Sequence, residues 1–134
     1  MANLSLTPAD IIPSTTSFLR GTAGTAINAG DLIYKDSTGL LQLSDADGAA
    51  AAQAVDGIAV CSGADGQPIN YVAEDADLEI GAGTSGTPYF LSATPGKICE
   101  AGDLAAGMKT IFVGSGKPGD KLNFKPVAGG IVPA

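Results

Sequence analysis

Short runs of alternating large apolar and polar positions recur from residue 16 to residue 125, broken every few residues by Gly, Pro, Asp or Ser. A period of two marks half-buried β-strands, and the breaks mark turns. The pattern predicts about ten short strands, near residues 16–20, 31–35, 40–43, 55–62, 67–74, 78–80, 88–92, 97–100, 109–114 and 120–125. In the second of these Leu32 and Tyr34 share one face and Ile33 takes the other. In the last, Leu122 and Phe124 point inward, while Lys121, Asn123 and Lys125 point out. Three stretches read as connections: the small-residue loop 21–26, the turn Asp36–Gly39 and the acidic turn Asp75-Ala76-Asp77. The Ala-rich run 49–54 is too short for a stable independent helix, and it predicts one or two helical turns laid against the strands.

The pattern repeats. Residues 57–72 and 110–125 align over sixteen positions with six identities: Ile58/Ile111, Val60/Val113, Ser62/Ser115, Gly63/Gly116, Gly66/Gly119 and Asn70/Asn123. Each copy reads as an apolar alternation, a Ser-Gly-x-x-Gly turn and a second alternation, which is a hairpin or tight two-strand corner. Upstream, Gly30–Leu41 matches Gly86–Ile98 with one extra residue near Pro95. The chain therefore holds two similar halves, about 29–73 and 85–126, within one β domain spanning 16–134. Two copies are too few for a solenoid. The expected fold is all-β, a small barrel or sandwich of short strands.

Residues 1–15 stand outside the repeat. Pro8 and Pro13 exclude a long helix, and Leu4, Leu6, Ile11 and Ile12 have no evident strand partner. We read this stretch as an extended arm whose four aliphatics bury against another subunit, the alternative being a solvated leader.

Composition narrows the function classes. The hydrophobic fraction is 45%, but 22 of those residues are Ala and there is no Trp, so the core is thin. The net charge of −7, with no Lys or Arg cluster, argues against a direct nucleic-acid partner. No apolar run is long enough to cross a bilayer as a helix, and Met1–Pro8 lacks the basic flank and apolar core of a signal peptide, so a cytoplasm-like compartment is expected. Cys61 and Cys99 read as small strand hydrophobes rather than as a disulfide, and two cysteines without any His cannot complete a structural zinc site.

The search for chemistry returns little. The commonest general base is missing, and no nucleophile elbow, Ser-x-x-Lys motif or P-loop is present. The Asp45/Asp47 and Asp75/Asp77 pairs sit in Gly- and Ala-rich segments where Asp commonly caps turns, and Asp45-Ala46-Asp47-Gly48 lacks the closing Glu of a calcium loop. No catalytic residue, cofactor site or metal site is expected, and the chain reads as a non-enzyme that acts through its surface.

One group of motifs carries a likeness. Ala29–Tyr34, Val55–Ala59 followed by Gly63–Asn70, Gly86–Leu91 and Pro95–Ile98 together resemble the small cement, or head-decoration, proteins of tailed bacteriophages, over roughly residues 20–126. The resemblance implies a structural protein, made in the host cytoplasm, that binds the major capsid protein on the exterior of the virion and stabilises the shell. It also implies a homo-oligomer, a trimer in preference to a dimer. A fibre-associated or receptor-binding virion module is the alternative from another class. The few aromatics of this chain fall in strand positions rather than in recognition loops, which favours the cement reading.

Overall fold

The computed structural model describes residues 4, 6–14, 18–46, 48, 50–100 and 111–126. The fold is nearly all β. Among the described residues ten strands occur in order: β1 (Leu19–Ala23), β2 (Leu32–Lys35), β3 (Leu40–Leu43), β4 (Gly57–Ala59), β5 (Pro68–Val72), β6 (Asp75–Glu79), β7 (Pro88–Leu91), β8 (Ile98–Glu100), β9 (Phe112–Lys117) and β10 (Lys121–Phe124). The first five close a barrel in the order β1-β3-β2-β4-β5, and the last five form a sheet in the order β6-β10-β9-β7-β8.

The two halves use the same pairings. The antiparallel pairs β1–β5, β2–β3, β2–β4 and β4–β5 recur as β6–β10, β7–β8, β7–β9 and β9–β10. The match in β2–β3 runs residue for residue. Ile33↔Leu43, Tyr34↔Gln42 and Lys35↔Leu41 become Tyr89↔Glu100, Phe90↔Cys99 and Leu91↔Ile98, once the extra residue near Pro95 is counted. Equivalent turn glycines also share the left-handed region: Gly30/Gly86 at φ 96° and 81°, Gly39/Gly96 at 87° and 78°, and Gly66/Gly119 at 86° and 85°. The halves differ at the Ser-Gly-x-x-Gly corner. In the second half it is a tight hairpin, with Lys117 opposite Lys121. In the first half Gly63 instead bridges to Ile27 and the loop is wider.

One pairing has no counterpart. In the barrel β1 also pairs with β3 in parallel, Thr22↔Leu40 and Ala23↔Leu41, and this closes the ring. Their equivalents β6 and β8 are the two edges of the second sheet. The second half is thus an open copy of the first.

Two packed clusters follow from the alternation. Ala23, Ile33, Leu41, Ala59, Ile69 and Tyr71, drawn from all five barrel strands, meet with Ile27 inside the barrel. A larger cluster joins the barrel exterior (Leu32, Ile58, Val72) to the second sheet (Leu78, Tyr89, Leu91, Ile98, Val113, Leu122, Phe124). Leu32 and Ile33, expected on opposite faces, therefore serve different clusters. Backbone bonds from Leu32 N to Gly96 O (2.9 Å), from Gly96 N to Ser44 O (2.7 Å) and from Ala46 N to Ser92 O (3.1 Å) also join the halves.

Several local expectations change. Residues 21–23, read as loop, belong to β1. A Cβ added at Gly21 would lie 2.8 Å from Leu41 Cδ1, so the small residue marks a close strand contact. Asp75-Ala76-Asp77, read as a turn, opens strand β6. The Ala-rich segment, by contrast, forms a single 3-10 turn, Ala50–Gln53, within the one or two helical turns expected. It is held by the bond from Asp45 N to Ala52 O (2.8 Å) and by that from Ser44 Oγ to Ala54 O (2.6 Å).

Candidate interaction surface

Residues 4 and 6–14 span the two free edges of the second half. At one end Leu4 N donates to Ile98 O on β8 (2.8 Å). A 3-10 turn follows at Pro8–Asp10, with proline in its first turn, where a missing N–H costs nothing. Ile12 and Glu79 of β6 then exchange both backbone bonds, each 3.0 Å. Ser14 ends the run against the buried Asp75, whose carboxylate accepts from Ser14 N (2.7 Å), Ser14 Oγ and Asp77 N (3.1 Å). An edge strand with unpaired N–H and C=O groups invites foreign pairing, and the arm covers both edges at these points.

Two glycines make room for the arm. A Cβ on Gly81 (φ 71°) would lie 2.8 Å from Asp10 Cβ, and one on Gly30 (φ 96°) would lie 3.2 Å from Ile11 Cδ1 and 3.3 Å from Leu6 Cδ1. Leu4 and Leu6 are partly buried against the larger cluster, and Ile11, 6% exposed, belongs to it. Three of the four aliphatics singled out in the sequence thus have partners within their own chain. Their missing partner is a gap between distant strands, which local patterning does not reveal. Ile12, 52% exposed, is the fourth.

The large hydrophobics left exposed among the described residues are Ile12, Phe18 (44%) and Leu19 (47%). All three lie in one eight-residue stretch, where the arm passes into β1. Leu19 sits opposite Tyr71 at the start of β1, in the position that Asp75 takes opposite Phe124 in the second half. Sequence reading placed Phe18 and Leu19 in a strand and gave them no exposed role.

Several ionisable groups tie the scaffold together. Asp36 accepts from Thr38 Oγ1 (2.6 Å), Gln42 Nε2 (3.0 Å) and the Thr38 and Leu40 amides, and these bonds, that from the Thr38 hydroxyl foremost, hold its pKa down to about 2 from the ordinary 3.8. Asp77 is lowered by its bond and ion pair with Lys117, which joins β6 to the end of β9. Asp31 and Lys97 pair across the two halves at 3.1 Å. Among the described residues every buried side-chain nitrogen and oxygen has a hydrogen-bond partner, and no three of His, Cys, Asp and Glu gather as metal ligands. Cys99 is buried in β8, with its Sγ 3.8 Å from Leu91 O, and half-buried Cys61 accepts from Asn70 N at 3.2 Å. Asp47, half of one carboxylate pair, lies outside the described residues.

An open groove of about 370 Å³ lies beside the arm, lined by Asp10, Ile12, Glu79, Gly81, Gly119 and Asp120. Three carboxylates, those of Asp10, Glu79 and Asp120, line it. No helix among the described residues is long and apolar enough to cross a membrane. No protein-family model and no curated protein matches this chain.

Proposed function

We propose that this protein is a virion structural protein that binds the outer surface of a tailed-phage capsid as a homo-oligomer and stabilises the shell. The observation that carries the reading is that the large apolar side chains exposed among the described residues, Ile12, Phe18 and Leu19, fall within eight positions of the chain. Large apolar side chains left exposed close together in the chain support a protein that works by association. The glycine-based motifs that resemble cement proteins select the capsid as the partner, with the major capsid protein as the subunit contacted. Four of those glycines, Gly30, Gly66, Gly86 and Gly96, lie in the left-handed region at turns of the two halves.

Co-sedimentation of the purified protein with undecorated mature capsids tests the reading. The expected result is saturable binding at a fixed ratio to the coat subunit. Absence of binding to every capsid form, together with binding to host cell surfaces, would replace it with the receptor-binding alternative.

A further inference from the structure

We propose that the arm and β6 form one latch: β6 keeps its strand form only while the arm is docked on it, and the two open together while the barrel and the rest of the second sheet stay folded. The latch is a property of the single chain and does not depend on capsid binding.

β6 is a strand by tertiary support. Asp75, Ala76, Asp77 and Glu79 are all of types depleted in strands, and Leu78 is the one large apolar side chain that β6 buries. As an edge strand it has β10 on one side and the arm on the other. The pairing with β10 is interrupted by a register shift between Leu122 and Phe124. The Asp77–Lys117 ion pair joins two well-solvated side chains, where such pairs contribute little.

The arm supplies what β6 lacks. Ile12 exchanges two backbone bonds with Glu79, and Ser14 donates to the buried Asp75 carboxylate from both N and Oγ. The bond to that carboxylate from Asp77 N (3.1 Å) is of another kind, spanning two residues as in an Asx turn. When the arm leaves, Asp75 loses both Ser14 donors, and a buried carboxylate short of donors moves out to water. The bond it keeps is one that a turn also makes, so residues 75–77 take the conformation their own sequence favours. β8, the other edge the arm touches, has no such dependence. Its Ile98 and Cys99 are buried, and all three of its residues pair with β7. Opening of the latch therefore bares β10 as a new sheet edge and uncovers β8, with the β7–β8 hairpin still in place.

The test is native-state amide exchange on the full chain and on its Ala76→Thr and Ala76→Gly variants. Ala76 is exposed in β6, so Thr favours the strand there and Gly disfavours it, with the core untouched. The reporter is Leu4 N, which donates to Ile98 O on β8, at the opposite edge of the sheet from β6. In the unsubstituted protein Leu4 N and Glu79 N are expected to share one protection factor. It should lie below that of Ala59 N in the barrel, which donates to Asp31 O (2.9 Å). Ala76→Thr should raise protection at Leu4 N about threefold, and Ala76→Gly should lower it about threefold. Protection at Leu4 N that neither variant moves would overturn the latch, because the arm would then open without β6. Leu4 N as protected as Ala59 N in the unsubstituted protein would also overturn it, because no opening of the arm would then precede unfolding of the whole chain.

Discussion

Ile11 and Ile12 are neighbours of the same type with opposite environments, and replacing each by Ala makes a sharp test of the arm. Ile11 is 6% exposed and packed in the larger cluster, while Ile12 is about half exposed. Ile11→Ala removes three buried carbons, worth about 2.4 kcal/mol at about 0.8 kcal/mol each, and the cavity left behind raises this to about 3 kcal/mol. Ile12→Ala removes the same carbons from a half-solvated site, for about 1 kcal/mol or less. The arm can detach while the barrel stays folded, so global melting registers only part of the loss. Amide exchange is the better assay. Leu4 N and Glu79 N report the two ends of the docked arm. A loss of about 3 kcal/mol in docking lowers their protection about a hundredfold, whereas about 1 kcal/mol lowers it about fivefold. The reasoning is refuted if the two variants change exchange equally, or if Ile11→Ala leaves both amides unchanged.

Other outcomes follow from the same contacts. Gly96→Ala places a Cβ at φ 78° and 3.0 Å from Leu43 Cδ2, at the turn that carries the inter-half backbone bonds, and should lower global stability by about 1–3 kcal/mol in a denaturant titration. Tyr89→Phe removes the hydroxyl that accepts from Thr84 N (2.7 Å) beneath the close approach of Gly116 to Thr84, and should cost about 1–3 kcal/mol in the same titration. Because the Asp36 pKa is depressed in the fold, its contribution is present above about pH 4 and is lost as pH falls toward 2. The stability gap between wild type and Asp36→Asn should therefore narrow across that window in acid denaturation. An unchanged gap would remove Asp36 from the account.

Much of this architecture is legible in the sequence because its repeat is local. The hairpin β2–β3 and its copy β7–β8 are each held within about a dozen residues by alternation and a turn glycine, so even the extra residue near Pro95 is visible before the structure. The equivalence of β1 and β6 is invisible, since Leu19-Arg20-Gly21-Thr22-Ala23 and Asp75-Ala76-Asp77-Leu78-Glu79 share no chemistry. Only their shared pairing, with β5 and with β10, relates them. Asp75 and Asp77 favour turns on their own. Here tertiary partners override that tendency: Ser14 satisfies the buried Asp75, and Lys117 neutralises the exposed Asp77. The arm escaped pairing in the sequence for a related reason. Its hydrogen-bond partners on the second sheet lie 61 to 94 positions away, on the edges that the second half leaves open.

The most direct test of capsid stabilisation is the temperature at which filled capsids release their DNA, measured with and without saturating protein. The account predicts that decorated capsids release DNA at a higher temperature and that the shift grows with occupancy until it saturates. Identical release temperatures at full occupancy would contradict it, because the protein would then bind the shell without strengthening it.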